Sequence, residues 1–410
     1  MPVEIRRTRP DELLAWLDAL STTFLERRDN ALVAEQVGPD WDFDRLWGAF
    51  DDGVVGTLRS WATEVTVPGG ALVPATGIAA VTVLPTHRRQ GILRRLMAAE
   101  HDAARERGEL VAMLHASEAP IYGRFGYGVG VETCTWTLGT RATTFAGDRG
   151  SAGSVAFAPV DAGTRDLIRD IWDAYRRRHV GELRRQDFIF DFALGLRQFD
   201  VEKQWKGWVA VHRDADGTPD GYVRYTGEEH WEHHQPASRI DVQDFVWLTD
   251  DAYDGLWRFI ASLDLVTSVR VQRRSPDERL PWLLANRRAA EIGDYGDALW
   301  VALLDLPRAL TARSYDRAGE VVLEVLEAEP STGRTRLRLE TAPDGAACAV
   351  AGADPDLTLH ADAIGAAYLG GTPLRRAVLA RGYEEHRPGA LDRADALFRT
   401  RDVPRASTFF

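Results

Sequence analysis

The chain has 410 residues but very little cysteine or lysine: only Cys134, Cys348, Lys203 and Lys206. Two distant cysteines cannot build a disulfide framework, and neither belongs to a metal-binding pattern. The sequence therefore predicts a protein of a reducing, cytoplasmic compartment. Arginine supplies nearly all the basic residues, a bias that indicates the base composition of the gene more than a function.

Long apolar runs are also missing. The segment Ala298–Leu306 is among the most apolar stretches, and it is far too short to cross a membrane. The first residues, Met-Pro-Val-Glu-Ile-Arg-Arg, contain no apolar signal core. We therefore expect no membrane span and a cytoplasmic location.

Positive charge is in the minority, because 62 acidic residues oppose 50 basic ones and give a net charge of −12. A nucleic-acid-binding protein would present a basic face, so no nucleic-acid partner is expected. A negative surface can steer cationic substrates, although solubility alone also explains it. Hydrophobic residues make up 45% of the chain, which is typical of a soluble globular protein, and the length allows two or three domains.

Histidine is concentrated in one short stretch, where His230, His233 and His234 accompany Glu229 and Glu232. A structural metal site needs a complete tetrahedral ligand set, and no second cluster supplies the missing ligands. The sequence therefore predicts a solvated loop here and no metal.

Residues 81–93 (Val-Thr-Val-Leu-Pro-Thr-His-Arg-Arg-Gln-Gly-Ile-Leu) predict a strand, a basic turn and the start of a helix. The first three residues alternate between apolar and polar side chains, as in a strand. Pro85 ends this strand because proline cannot donate a hydrogen bond to a neighbouring strand. Helical spacing begins at Ile92 and puts apolar residues on one face. Gly108 is expected to end the helix.

This turn suits an anion. The first turn of a helix has free N–H groups and the positive end of the helix dipole, which together favour a pyrophosphate. Arg88 and Arg89 add charge and bidentate donors, and Gly91 allows close approach of a ligand. A plain turn with solvated arginines is the alternative, since short glycine motifs have real false-positive rates.

The spacing resembles the acetyl-CoA pyrophosphate loop of the GNAT acetyltransferase family, whose pattern is Gln/Arg-x-x-Gly-x-Gly/Ala. Arg88 and Gly91 match its first and fourth positions, whereas Leu93 departs from the small residue usual at the sixth. The elements expected over the first 140 residues are a strand, a helix, a hairpin, a strand, the turn, a helix and a strand. This is the order of the GNAT fold, and the resemblance implies acetyl-CoA as the co-substrate.

Residues 117–127 resemble the GNAT segment in which a tyrosine precedes a glycine–aromatic pair, here Tyr122, Gly126 and Tyr127. In that family the tyrosine lies near the coenzyme sulfur and can protonate the leaving thiolate. A neutral phenol, with an ordinary pKa of about 10, has one proton to give. A simple packed aromatic is the alternative interpretation.

Residues 141–295 repeat the first pattern weakly, with a hairpin, a strand, a helix and a strand. Where the first copy has Pro-Thr-His-Arg-Arg-Gln-Gly, the second has Thr-Asp-Asp-Ala-Tyr-Asp-Gly at 249–255. Asp250 and Asp251 would repel a pyrophosphate. We therefore predict that the second copy keeps the fold without a coenzyme site, and that it walls the substrate cleft or joins an oligomer interface.

Residues 296–410 predict paired strands followed by helices, an order that resembles a sterol-carrier-protein-2-like (SCP2-like) domain. The chain ends in two phenylalanines, whereas free ends are normally polar and frayed. We therefore expect a docked end. It would bring the α-carboxylate of Phe410, with an ordinary pKa of about 3.3–3.7, into an apolar cleft as a candidate base.

Together these features resemble the Eis (enhanced intracellular survival) family of acetyltransferases over essentially the whole chain. The implied fold class combines α/β and α+β architecture in tandem GNAT-like domains, the second degenerate, followed by an SCP2-like α+β domain. The corresponding segments are residues 1–140 for acetyl-CoA binding, residues 141–295 for the degenerate copy, and residues 296–410 for the SCP2-like domain with a catalytic C-terminus.

The resemblance also implies roles for individual residues. Tyr122 would be the general acid and the carboxylate of Phe410 the general base, while the backbone of Val81 and Val83 would hold the pantetheine arm. The family tolerates a large residue at Leu93. The positions that match its coenzyme site are Val81, Thr82, Val83, Arg88, Arg89, Gln90, Gly91, Ile92, Leu93, Arg94, Ser117 and Glu118.

The function implied is direct acetyl transfer from acetyl-CoA to a small-molecule amine, notably an aminoglycoside-like polycation, by a homohexamer of two stacked trimers. No cysteine lies beside Tyr122 in the sequence, which argues against a covalent acetyl-enzyme. Two other classes stay open: a non-catalytic sensor that binds acyl-CoA or lipid, and an oligomeric scaffold.

Overall fold

The structure is a computed structural model that describes residues 3–147, 150–198, 204–331 and 333–410. The strands are β1 (Glu4–Arg7), β2 (Leu46–Phe50), β3 (Val54–Thr66), β4 (Leu72–Val83), β5 (Val111–Leu114), β6 (Gly128–Gly139), β7 (Ser154–Ala158), β8 (Trp208–Arg213), β9 (Pro219–Glu228), β10 (Trp231–Glu232), β11 (Gln235–Pro236), β12 (Ser238–Trp247), β13 (Val266–Arg274), β14 (Ala290–Leu303), β15 (Gly319–Leu326), β16 (Arg334–Ala342), β17 (Gly345–Val350), β18 (Leu357–His360) and β19 (Tyr383–Glu385).

The α-helices alternate with these strands. They are α1 (Leu13–Phe24), α2 (Asn30–Val37), α3 (Ile92–Glu106), α4 (Ala162–Arg176), α5 (Asp187–Ala193), α6 (Asp250–Ala261), α7 (Leu280–Leu283), α8 (Leu306–Ala312), α9 (Ala361–Ala367), α10 (Leu374–Arg381) and α11 (Ala390–Phe398). None of these helices in the described part of the chain is long and apolar enough to span a membrane.

One twelve-stranded sheet runs through both predicted GNAT-like segments, in the order β1-β2-β3-β4-β5-β14-β6-β13-β12-β9-β8-β7. β6 pairs antiparallel with β13 and thereby joins the two halves. β14 lies between β5 and β6 and pairs antiparallel with both. No local pattern in the sequence predicts this insertion. β14 includes both residue 295 and residue 296, so it spans the predicted boundary between the second and third segments. The domain boundaries stay predictions.

β4 and β5 separate at one end of the sheet. Residues 75–78 of β4 pair in parallel with β5, whereas residues 79–83 continue without a β5 partner. On the other side, Thr82 and Val83 still pair with β3. The β4 edge that faces the gap therefore offers unpaired backbone N–H and C=O groups to a ligand.

Helix α3 covers the sheet with the apolar face that its spacing predicts, because Ile92, Leu96 and Met97 are all buried. Glu100 interrupts that face and is buried as well. Its carboxylate accepts hydrogen bonds from the Trp47 indole at 2.7 Å, the Thr76 hydroxyl at 3.0 Å and the Arg107 guanidinium at 2.6 Å. These partners offset the cost of burying the charge.

In the described part of the second half, the connection between β12 and α6 is shorter than the loop at residues 84–91. β12 ends at Trp247 and α6 begins only three residues later, with the Thr249 hydroxyl accepting from the Ala252 N–H at 3.1 Å. The Asp251 carboxylate accepts from the N–H groups of Ala152 and Gly153. The Thr249 cap and the acidic residues of the first turn of α6 make this helix start unlike that of α3, and the absence of a coenzyme site in this copy stays a prediction.

The third segment forms a separate five-stranded sheet in the order β17-β16-β15-β18-β19, with the predicted helices following β18. Helix α9 packs closely against β14. A Cβ atom at Gly365 would lie only 2.1 Å from the carbonyl oxygen of Val301. The SCP2-like segment is thus held directly against the large sheet.

Candidate active site

A cavity of about 760 Å³ opens where β4 and β5 separate. The residues from the sequence prediction that line it are Val81, Thr82, Val83, Arg88, Arg89, Gly91, Ile92, Leu93, Arg94, Ser117, Glu118 and Tyr122. Gln90 is exposed and, like Phe410, is not among the lining residues. The end of α1 contributes Thr23 and Phe24, which the sequence analysis did not single out.

The loop before α3 has an unusual backbone. Arg89 and Gly91 both have left-handed conformations, with φ of 64° and 71°. Gly91 precedes the first residue of α3, and no side chain of the described residues caps the helix start. The free N–H groups of the first turn are therefore available to an anion. A left-handed arginine is uncommon and costs energy, which is typical of functional loops.

Arg88, Arg89 and Arg94 surround this helix start, and their side chains are exposed. Within the described residues none of the three makes an ion pair or a side-chain hydrogen bond, so their donors are free. Free guanidinium groups beside an uncapped helix start match the chemistry of a pyrophosphate. The donor set therefore fits the phosphates of a coenzyme A ester.

Replacing Arg88 by alanine should weaken acetyl-CoA binding by roughly 10- to 100-fold, since a hydrogen bond to a charged group contributes about 1.5–3 kcal/mol. Isothermal titration calorimetry of both proteins measures the change. Arg239→Ala is the matched control, because Arg239 is an exposed arginine on β12. An unchanged dissociation constant in Arg88→Ala would remove that residue from the phosphate site.

Tyr122 lies deeper in the same cavity and is only 7% exposed. Burial, with a smaller contribution from Glu118, raises the pKa of Tyr122 to about 12. Its ring meets that of Tyr127 edge to face at 6.1 Å. The Tyr127 hydroxyl is already bonded to His101 at 2.8 Å, whereas the Tyr122 hydroxyl has no hydrogen bond to the described residues. Tyr122 therefore keeps its proton and has a donor to offer.

The end of the chain is docked rather than frayed. The Ser407 hydroxyl donates to the buried Glu182 carboxylate at 2.5 Å, and Arg185 donates to the Thr408 hydroxyl at 3.0 Å. The carbonyl of Thr408 accepts from Nε2 of His115 at 3.0 Å. Three separate contacts thus hold the last residues in place.

Phe410 itself packs against the first GNAT segment. Its half-buried ring meets the ring of Trp61 edge to face at 4.4 Å and that of His115 at 4.6 Å. Trp61 in turn lies across β4, because a Cβ atom at Gly77 would be 2.3 Å from its ring. The chain end is therefore held against β3 beside the part of β4 at Gly77, four residues before the cavity residue Val81.

Sequence reasoning missed His115 and Trp61. His115 directly follows β5, two residues before Ser117, and burial lowers its pKa to about 4, so the imidazole is neutral at pH 7. Neither residue belongs to a motif. The only available signal was position, since Trp61 lies on β3 and His115 directly follows β5, next to the predicted site.

Family profiles match the three segments of the chain. A profile described as acetyltransferase (GNAT) domain matches residues 4–130, and a second profile with the same description matches residues 181–312. A sterol carrier protein domain matches residues 306–405. These matches agree with the tandem arrangement and with the SCP2-like third segment.

Full-length relatives and solved structures are similar over almost the whole chain. An uncharacterized N-acetyltransferase of Streptomyces griseus is 38% identical over 98% of both chains. N-acetyltransferase Eis of Mycobacterium tuberculosis H37Ra is 31% identical over 87% of this chain and 85% of its own. The crystal structure of Eis1 from Mycobacterium abscessus, 31% identical, superposes with a TM-score of 0.86 over 99% of this chain and all of the other.

Proposed function

Since the chain belongs to the Eis family of GNAT N-acetyltransferases, we propose that it transfers the acetyl group of acetyl-CoA directly to a small-molecule amine. The observation that carries this proposal is that the predicted phosphate-binding residues and Tyr122 line the same cavity. Gly91 and Ile92 at the start of α3, the arginines Arg88, Arg89 and Arg94, and Tyr122 all line this cavity, and among the described residues the arginine side chains and the Tyr122 hydroxyl have no hydrogen-bond partner. A phosphate site can hold the coenzyme, and a proton donor can neutralise the thiolate that leaves when an amine attacks the thioester.

In the proposed reaction the acetyl group passes directly from the coenzyme to the amine, without a covalent acetyl-enzyme. The free edge of β4 at Val81 and Val83 holds the pantetheine arm, and the helix start with Arg88 and Arg89 holds the pyrophosphate. The amine loses its proton toward the carboxylate of Phe410 and attacks the thioester carbonyl. The C–S bond breaks, and Tyr122 protonates the departing thiolate. Holding the amine and thioester together supplies much of the rate.

The family resemblance makes aminoglycoside-like polycations the first acceptors to test. We further propose a cytoplasmic homohexamer of two stacked trimers, for which the resemblance to the Eis family is the support. Sedimentation equilibrium measures the mass of the assembly. A monomer or a dimer at micromolar concentration would contradict this part.

Thiol release tests the enzyme against its alternatives. The protein is mixed with acetyl-CoA and a panel of amines, and free coenzyme A is followed with a thiol reagent. We expect release that depends on both the amine and the enzyme. Acetyl-CoA or lipid binding without release for any amine would instead favour the sensor, and binding of neither would favour a scaffold.

The pH dependence should show that Tyr122 keeps its proton. Because burial raises its pKa to about 12, the acid form that donates the proton persists while ordinary amines deprotonate. We expect kcat/KM for a primary amine to rise with pH toward the pKa of the amine, with no falling limb below pH of about 11. A falling limb centred near 10, the ordinary pKa of tyrosine, would contradict this. Samples returned to pH 8 control for inactivation.

A further inference from the structure

The chain end, residues 405–410, docks on a loop of the second GNAT-like segment. This loop, residues 177–186, connects α4 to α5 and belongs to the segment for which the sequence predicts no coenzyme site. The N–H of Arg405 donates to the carbonyl of Val180 at 2.7 Å. A Cβ atom at Gly181 would lie 2.4 Å from the carbonyl oxygen of Arg405. The loop and the chain end are therefore in close backbone contact.

The same loop is bonded to β3 of the first GNAT-like segment. Leu183 forms an antiparallel bridge with Val65, which is a residue of β3. β3 also carries Trp61, whose ring meets that of Phe410 edge to face at 4.4 Å. The loop thus contacts both the chain end and the strand on which its last ring packs.

Glu182 of this loop has a fully buried carboxylate whose hydrogen bonds come from the chain end. Its two oxygens accept from the N–H of Ser407 at 3.1 and 3.3 Å, and Oε1 also accepts from the Ser407 hydroxyl at 2.5 Å. Among the described residues this carboxylate has no ion pair and no other hydrogen-bond donor. Burial raises the pKa of Glu182, while the hydrogen bonds from Ser407 oppose that rise. A buried carboxylate is costly unless its oxygens are bonded, so Glu182 and the docked chain end stabilise each other.

Arg185 of the same loop holds the next residue of the chain end. Its Nη2 donates to the Asp244 carboxylate at 3.0 Å, and its guanidinium lies 3.5 Å from the centre of the Trp172 ring. These contacts fix a buried side chain whose Nε donates to the Thr408 hydroxyl at 3.0 Å. The second segment therefore binds the two residues that precede the phenylalanine pair at the end of the chain.

We propose that the second GNAT-like segment holds the candidate base in place, with Glu182 and Arg185 as positioning residues for the carboxylate of Phe410. The inference rests on the proposed N-acetyltransferase activity and on the role of that carboxylate in it. Neither positioning residue lines the coenzyme cavity, so each acts through the chain end. A base must lie within hydrogen-bond reach of the proton that it accepts, and a displacement of about 1 Å can lower a rate by about 10²-fold.

Glu182→Gln and Thr408→Val test the two contacts with little change in side-chain volume. The first removes the charge of the buried carboxylate, and the second removes the hydroxyl that accepts from Arg185. We expect kcat for thiol release to fall roughly 10- to 100-fold in Glu182→Gln and by a smaller factor in Thr408→Val, with the acetyl-CoA dissociation constant unchanged in both. Glu109→Gln is the matched control and should retain the wild-type kcat, because Glu109 is also a buried carboxylate but is bonded to Arg45.

A second background separates positioning from a general structural effect. In a semisynthetic protein that ends in Phe410 carboxamide, the chain end keeps its rings and has no terminal carboxylate to position. If Glu182 acts through that carboxylate, Glu182→Gln should lower kcat of the carboxamide protein by less than about two-fold. A structural effect would instead lower kcat by the same factor in both backgrounds.

Digestion with carboxypeptidase A, which removes C-terminal aromatic residues, measures docking of the chain end without turnover. We expect mass spectrometry to show that Glu182→Gln loses its terminal phenylalanines about 10-fold faster than the wild type, because the open form is more populated. Glu109→Gln should be as resistant as the wild type.

The outcomes separate the two proposals. A Glu182→Gln variant with the kcat or the carboxypeptidase resistance of the wild type overturns the positioning role and leaves the acetyltransferase standing. Equal losses of kcat in the two backgrounds also overturn it. Absence of thiol release from the wild type with every amine overturns the proposed function itself, whatever the rate of digestion.

Discussion

Tyr122→Phe is expected to lower kcat by about 10²–10⁴-fold, the usual contribution of a positioned proton donor. The substitution removes one oxygen and preserves the ring, so the edge-to-face contact with Tyr127 survives. The Tyr122 hydroxyl has no hydrogen bond to lose among the described residues, and its removal should leave the fold undisturbed. Stopped-flow measurement of thiol release at saturating acetyl-CoA and amine gives kcat directly.

The neighbouring tyrosine supplies the control. Tyr127 is completely buried, and its hydroxyl is bonded to His101. Tyr127→Phe leaves that imidazole without its partner and should cost about 1–3 kcal/mol of stability, with little effect on kcat. Calorimetry should also give the same acetyl-CoA dissociation constant for Tyr122→Phe and the wild type. Equal kcat values for Tyr122→Phe and the wild type would exclude the proton-donor role.

The coenzyme end of the site could be predicted because it is local in sequence. The strand, turn and helix around residues 81–93 follow one another directly, and the spacing of their residues predicts both the start of the helix and the basic loop before it. The structure places α3 at Ile92, as the pattern predicts. The segment after β5 likewise brings Tyr122 into the cavity within a few residues of Ser117. Periodicity and turn chemistry are sufficient for such segments.

The surroundings of β14 and of the docked chain end could not be predicted in the same way, because they are assembled by pairing between distant segments. β14 enters the sheet beside β6, so that Gly128 pairs with Val301, and no local pattern encodes that neighbour. The contact between His115 and Thr408 spans most of the chain. Contacts of this kind depend on topology more than on spacing.

Extending the chain beyond Phe410 by a short tag is expected to lower kcat by about 10²–10⁴-fold, as loss of a general base does, while acetyl-CoA still binds. The added peptide bond converts the terminal carboxylate into an amide, which cannot accept a proton at neutral pH. The coenzyme cavity is not lined by Phe410, so its affinity should be preserved. The same tag placed at the N-terminus controls for the presence of extra residues.

Two further chain ends separate the carboxylate from the ring. A semisynthetic protein ending in Phe410 carboxamide keeps the contacts with Trp61 and His115 at 4.4 Å and 4.6 Å and loses only the charge. Phe410→Leu keeps the carboxylate and loses the aromatic contacts, which are favourable by about 0.5–1.5 kcal/mol each. If the carboxylate is the base, the carboxamide should be as inactive as the tagged protein and the leucine variant should retain most of its turnover. An active carboxamide together with an inactive leucine variant would assign the effect to docking of the ring. Full activity of the carboxamide would exclude the terminal carboxylate as the base.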